Sequence, residues 1–196
     1  MTARRGFTLL EILLVVVVLA VIAGMVWPAM LRFVNERAIK EAGEEVRAEL
    51  DRTRFRAIDV GSAYQFLYEP DGPNYIAIPA RQGAVAAGGM GAGPSVSTNS
   101  PAASFSGKLA DGLVFRGDLT AIPAGASLGT DALAGLPNSA SLQRVQWSAP
   151  IVYLPSGTAE DAVFQIVDEN GRYIELNVRG LTGMARAGPL RREATP

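Results

Sequence analysis

Arg4-Arg5-Gly6-Phe7-Thr8-Leu9-Leu10-Glu11 decides how this chain must be read, because it opens an apolar run that continues to Trp27. Between Phe7 and Trp27 only Thr8, Glu11 and Gly24 interrupt the hydrophobic side chains. As a helix rising about 1.5 Å per residue, the run reaches about 31 Å, the thickness of a bilayer's hydrocarbon core. It exceeds the apolar core of a secretory signal peptide, about 7–15 residues. No clean A-x-A cleavage site follows, although Ala20-Val21-Ile22-Ala23-Gly24 has some of the required small residues.

Glu11 is the anomaly. A carboxylate in hydrocarbon costs several kcal/mol and usually has a functional partner. It lies four residues after Phe7. A cut between Gly6 and Phe7 would create an α-amino group, positive near neutral pH, able to offset that carboxylate in its own chain or a neighbour's. The residues alone leave a second reading open, an uncleaved anchor with Glu11 among the lipid headgroups.

Gly6-Phe7-Thr8-Leu9-Leu10-Glu11, followed directly by a long apolar helix, resembles the class III signal of type IV pilins and type II secretion pseudopilins. The resemblance implies cleavage of Gly6–Phe7 by a prepilin peptidase, N-methylation of Phe7, and a role for Glu11 in filament assembly. Residues 1–6 would be the leader and 7–30 a transmembrane segment that becomes the filament core.

The charge balance is even, 18 basic against 19 acidic residues. Loss of the leader would remove Arg4 and Arg5, leaving 16 basic residues and a mildly acidic chain. No global basicity points to nucleic acid. Arg4 and Arg5 instead place the N-terminus in the cytoplasm by the positive-inside rule. The chain has no cysteine and no histidine. Disulfides, zinc-thiolate sites and a histidine base are excluded, and with no convergent carboxylate pair or nucleophile motif the chain is not expected to be an enzyme or to carry a cofactor.

After the apolar run, Pro28 is expected to bend or interrupt the helix; a proline at this point is also shared with many pilin-like anchors. Val34, Ala38, Ile39, Ala42, Val46, Leu50, Phe55 and Ile58 then recur at helical spacing, predicting an amphipathic helix over 31–60. Arg47 and Asp51 are placed to pair at i, i+4, and Gly61 is a stop signal. Together 7–60 would make one nearly continuous helix about 80 Å long.

The remainder reads as β. Ala63–Tyr68 and Asn74–Ile78 flank the turn Glu69-Pro70-Asp71-Gly72-Pro73, which predicts a hairpin. Residues 79–107 are rich in Gly, Ala and Ser and predict a long surface loop. Within it Gly89-Met90-Gly91-Ala92-Gly93 lacks the preceding strand and the lysine of a phosphate loop. Leu113–Arg116 reads as a short strand, 120–141 as a second loop, and Val145–Trp147 as extended. A β head is expected to run to 186, ending in strands Ile151–Leu154, Ala162–Val167 and Arg172–Val178, with a flexible tail over 187–196. The alternation Tyr173/Glu175/Asn177 against Ile174/Leu176/Val178 predicts one buried face, and Asp168-Glu169-Asn170-Gly171 a hairpin turn whose spacing misses an EF-hand calcium loop. The fold class is α+β, a long N-terminal helix packed on an antiparallel β-sheet or β-sandwich head.

Ile151–Gly157, the two strands after it, and Gly180-Leu181-Thr182-Gly183-Met184-Ala185-Arg186 resemble the GspH/FimT group of minor pseudopilins and minor pilins. This implies a minor pseudopilin near the tip of a type II secretion pseudopilus, supporting protein export across the outer membrane. Its implied partners are other major and minor pseudopilins, the peptidase/methyltransferase and the inner-membrane secretion platform. The implied location is single-pass in the inner membrane with the head in the periplasm. The alternative is a FimT-like minor pilin binding DNA for uptake through Arg179, Arg186, Arg191 and Arg192. The acidic balance and the lack of interleaved aromatics disfavour nucleic acid.

Overall fold

The computed structural model describes residues 9–80, 104–117, 133, 136 and 138–193, with 24–35 described as backbone alone. The leader and the cleavage pair Gly6 and Phe7, the 89–93 glycines and most of the 120–141 segment lie outside the described residues.

Helix α1 spans Leu9–Val60, 52 residues. It runs through Pro28 without interruption, so of the expected bend or interruption the interruption is not found. A proline removes one backbone donor and costs a helix interior about 3 kcal/mol. The chain divides into two compact units, Met1–Ala38 and Ile39–Pro196.

In the first unit every described side chain from Leu9 to Ala23 is exposed, on all sides of the helix. Among the described residues no helix is long and apolar enough to cross a membrane. The stretch with described side chains ends at Ala23, short of the expected Phe7–Trp27 run at both ends.

The second unit begins with the amphipathic part of α1. Ile39, Ala42, Val46, Leu50, Thr53 and Ala57 are buried in steps of three and four residues, the period of one helix face. Continued from Leu50, that period lands on Thr53 and Ala57 rather than on Phe55 and Ile58, which are 61% and 43% exposed. The apolar stripe predicted through Phe55 and Ile58 is corrected accordingly. Arg47 pairs with Asp51 at 3.1 Å, as expected, and with Glu44 at 2.8 Å. The helix ends at Val60, where Gly61 takes φ +66°, a left-handed stop that glycine adopts without a Cβ clash.

Two antiparallel sheets follow. The first contains β1 (Tyr64–Tyr68), β2 (Asn74–Pro79), β3 (Phe105–Lys108) and β5 (Ile151–Tyr153), in the order β3-β2-β1-β5. The second contains β4 (Leu113–Gly117), β6 (Ala162–Asp168), β7 (Arg172–Arg179) and β8 (Met184–Ala187), in the order β4-β6-β7-β8, with β9 (Arg191–Arg192) also on β7. Both predicted hairpins form, β1 with β2 across Glu69–Pro73 and β6 with β7 across Glu169–Gly171. Inside the second, Ile174, Leu176 and Val178 are buried while Asn177 and Arg179 are exposed, the alternation that places one face of β7 in the core.

Helix α1 and the inner faces of both sheets share one core, built from Ile39, Val46 and Leu50, β1's Tyr64, Phe66 and Tyr68, and Phe115, Phe164, Ile166 and Leu176. Its centre is aromatic. The Tyr68 and Phe164 rings stack at 4.8 Å, with Phe115 5.3 Å from Tyr68. Each fully buried side chain of this size contributes about 1.5–3 kcal/mol of transfer free energy.

Three expectations are corrected here. The 79–107 loop is not loop throughout, because Phe105–Lys108 adds to β2 as an edge strand; a Phe-Ser-Gly-Lys segment has little alternation to announce it. In the second loop, Leu133, Leu136 and Leu142 pack with Trp147 on Leu67, Ile76 and Ile78, the outer face of the first sheet, and Ser139–Leu142 forms a short helix, α2. Of the expected extended Val145–Trp147, Trp147 forms a single β-bridge position, and its side chain is an anchor, 1% exposed. Finally, 187–192 is not free tail. Arg192 pairs with Arg172 and Arg191 with Tyr173, while the Gly188 N–H donates to the Glu175 carbonyl at 2.7 Å. The open edge of β7 needs backbone partners, and 184–192 supplies them as an edge strand interrupted at Pro189.

Candidate functional site

The N-terminal site residues fall into two groups. Gly6 and Phe7 lie outside the described residues. Glu11 sits in the first turn of α1 and is exposed, where a negative charge also complements the partial positive charge of a helix N-terminus. Around it Leu9, Leu10, Ile12, Leu13 and Leu14 are between 52% and 87% exposed. A carboxylate within such an apolar surface is suited to seating another apolar helix while fixing its register through one charge. Pro28 is placed within the helix backbone.

The arginines at the other end are sorted by strand register. Arg186 stands opposite Asn177 and diagonal to Arg179, with both arginines exposed on the outer face of the second sheet. Arg191 stands opposite Tyr173, four residues back along β7, about 13 Å from the Arg186 rung at strand spacing. Arg192 is one rung further, beside Arg172. The structure thus brings Arg179 and Arg186 together and leaves Arg191 and Arg192 as a separate pair. Glu193 next to them is taken by Arg116 at 3.2 Å.

The turn that resembles a calcium loop is closed by its own ion pair. Asp168 accepts from the backbone N–H of Asn170 at 2.9 Å and of Arg172 at 2.8 Å. The Arg172 guanidinium lies 2.6 Å from its other oxygen. Burial opposes ionisation of Asp168, but the Arg172 hydrogen bonds, the Asn170 N–H and the Arg172 charge outweigh it and hold its carboxyl below the usual range. Among the described residues no cluster of three or more acidic, cysteine or histidine side chains is placed to hold a metal.

Sequence reading missed two features. The first joins α1 to the C-terminal motifs. The Arg54 Nε–H donates to the Gly157 carbonyl at 3.0 Å, and Gly183 packs so closely that a Cβ there would lie within 2.3 Å of that same oxygen. Arg54, the turn after β5 and the Gly180–Gly183 turn thus form one block. The second is a cavity of about 470 Å³ where the two sheets meet, lined by Tyr68, Ile151, Glu160, Asp161, Val163 and Phe164, among others. These residues lie up to 96 positions apart, so no local pattern reveals them. Between β2 and α1, the Tyr75 hydroxyl donates to Glu45 at 3.1 Å. Burial, followed by the Glu45 charge, pushes its pKa well above the usual phenol range. This tyrosine serves as a neutral strut between β2 and α1.

Residues 1–27 match the family model for the prokaryotic N-terminal methylation motif. The match covers the same Arg4–Glu11 stretch on which the resemblance to pilin-like proteins rests. A comparison with curated proteins finds no match. Among solved structures the chain is similar to the minor pseudopilin EpsH from the type 2 secretion system of Vibrio cholerae. The two are 14% identical with a TM-score of 0.44, over 76% of this chain and 95% of that one.

Proposed function

We propose that this chain is a minor pseudopilin, a structural subunit of a type II secretion pseudopilus near its tip. It is made with a short cytoplasmic leader and held in the inner membrane by residues 7–30. Prepilin peptidase cleaves it at Gly6–Phe7 and methylates Phe7. The observation that carries this reading is the methylation-motif match over 1–27, continued by a helix whose described apolar side chains are exposed on every side and broken by one carboxylate.

In this reading the N-terminal half of α1 leaves lipid and packs among other pseudopilin helices. Moving an apolar helix from lipid to protein gains little hydrophobic free energy, so close packing and interhelical polar contacts must set the register. Glu11 supplies the polar contact, accepting from the methylated amine of Phe7 in its own chain or the next. The second unit, with its helix–sheet core, remains in the periplasm as the subunit's head. No step of this function requires catalysis by the chain.

Intact-mass and N-terminal analysis of the protein from its native membrane tests the proposal. A mature chain starting at N-methyl-Phe7 is expected. A chain starting at Met1, or one cut near Ala23, overturns it. Loss of protein export on deletion of the gene, with no loss of DNA uptake, is the further outcome expected of a secretion subunit.

A further inference from the structure

The turn between β7 and β8 is an unusual surface feature. Leu181 at its tip is 90% exposed, yet its base is held firmly on both sides. The Gly180 N–H donates to Asp161 Oδ1 at 2.7 Å. The Gly183 N–H donates to the Arg179 carbonyl at 2.7 Å, and Gly183 is packed on the Gly157 carbonyl and the Arg54 side chain. A leucine presented on a turn fixed in this way loses little entropy on burial, so it is preorganised for a hydrophobic contact.

The inter-sheet cavity lies beside that turn, because Asp161, which holds Gly180, also lines the cavity. Its apolar walls include Ile151, Val163 and Phe164, and Glu160 and Asp161 contribute negative charge. The turn is flanked by positive charge, with Arg179 immediately before it and Arg186 on the neighbouring strand facing the same way. Among the described residues, Glu160, Arg179 and Arg186 form no ion pair. A cationic apolar knob therefore stands next to an anionic apolar hole on one surface. Such a surface is complementary to itself after a two-fold rotation, when each copy gives its knob and receives the other's.

We infer that two copies of this chain associate through their heads, the Leu181 turn of each seated in the Glu160/Asp161-lined cavity of the other. The occupant fits in kind. A leucine is small against a cavity of about 470 Å³, leaving room for the exposed Thr182 beside it. The pairing matches Arg179 and Arg186 with Glu160 and Asp161, which gives orientation and specificity more than raw affinity. This association is independent of N-terminal processing and does not rest on the function proposed above.

The absence of native cysteine makes disulfide trapping a clean test. Two full-length, differently tagged chains are co-expressed in membranes, one carrying Leu181→Cys and the other Val163→Cys, and mildly oxidised. Docking raises the effective concentration of the two thiols, so the mixed dimer is expected at about tenfold the yield of an off-site pair, Leu181→Cys with Asp111→Cys. Asp111 is a suitable off-site position because its side chain is fully exposed. Adding Arg179→Glu to the Leu181→Cys chain is expected to lower the yield, and adding Glu160→Arg to the other chain to restore it. A yield no greater than that of the off-site pair, or one indifferent to both charge reversals, overturns the inference. Trapping of a different protein in place of a second copy overturns it as well.

Discussion

Arg54 and Gly157 stand 103 residues apart and are joined by one hydrogen bond of 3.0 Å from the Arg54 Nε–H to the Gly157 carbonyl. That bond ties the last turns of α1 to the turn after β5, and Gly183 closes over the same oxygen. Gly183 has φ +60° and no room for a Cβ. Gly183→Ala is therefore expected to destabilise the head by about 2–3 kcal/mol, combining backbone strain with a steric clash. Arg54→Met, which keeps the aliphatic stem, is expected to cost about 1 kcal/mol for the lost bond. Thermal unfolding of the full chain in detergent, followed by circular dichroism, measures both. Equal and negligible effects would contradict the packing described.

The face of α1 that enters the core is open to a paired comparison. Leu50→Ala is expected to cost about 3 kcal/mol, since Leu50 is fully buried and a cavity would remain. Phe55→Ala and Ile58→Ala, at exposed positions, are expected to stay within about 0.5 kcal/mol. Denaturant titration of the three variants gives the order directly. The reverse order would restore the stripe predicted through Phe55 and Ile58.

Trp147 anchors the segment that covers the outer face of the first sheet, against Leu67, Ile76 and Ile78. Trp147→Ala is expected to cost about 3–5 kcal/mol and to release the 133–147 segment first. Limited proteolysis of the full chain is expected to show new cleavage within 133–147 before β1 or β2 is lost. Simultaneous loss of all of them would mean that this layer is not separable from the main core.

Asp168 makes the β6–β7 turn sensitive to acid. Its carboxyl is held below the usual range, so its contribution is complete above the ordinary carboxylate pKa of about 3.9. It is lost as pH falls through the lower folded value. Wild type and Asp168→Asn are therefore expected to differ in melting temperature at neutral pH, with the gap closing below about pH 4. A gap that widens toward acid would reverse the assigned sign.

Much of this architecture was legible in local sequence, for reasons that vary by element. The helix to Val60, its stop at Gly61 and both hairpins were read correctly because their signals lie within a few consecutive residues. A 3.6-residue period, a glycine with positive φ and turn residues between alternating strands are each local properties. The Arg4–Glu11 stretch was equally local, and the match of residues 1–27 to the N-terminal methylation motif bears out the resemblance read from it.

What only the tertiary structure decided depends on partners far away in the chain. Whether Phe55 or Ala57 faces the core follows from where the sheets lie, since either residue suits the end of an amphipathic helix. Leu133, Leu136 and Trp147 look like scattered hydrophobes in a Gly- and Ala-rich loop until the outer face of β1 and β2 gives them a surface to cover. Arg191 and Arg192 read as tail until the open edge of β7 supplies backbone partners. The inter-sheet cavity and the Arg54–Gly157 bond arise only when segments about 100 residues apart are brought together by burial of a common core, and hydrophobic burial carries no memory of sequence separation. The sequence by itself determined the N-terminal methylation motif, the helix and the two hairpins; the shared core decided which side chains are buried and which stay exposed.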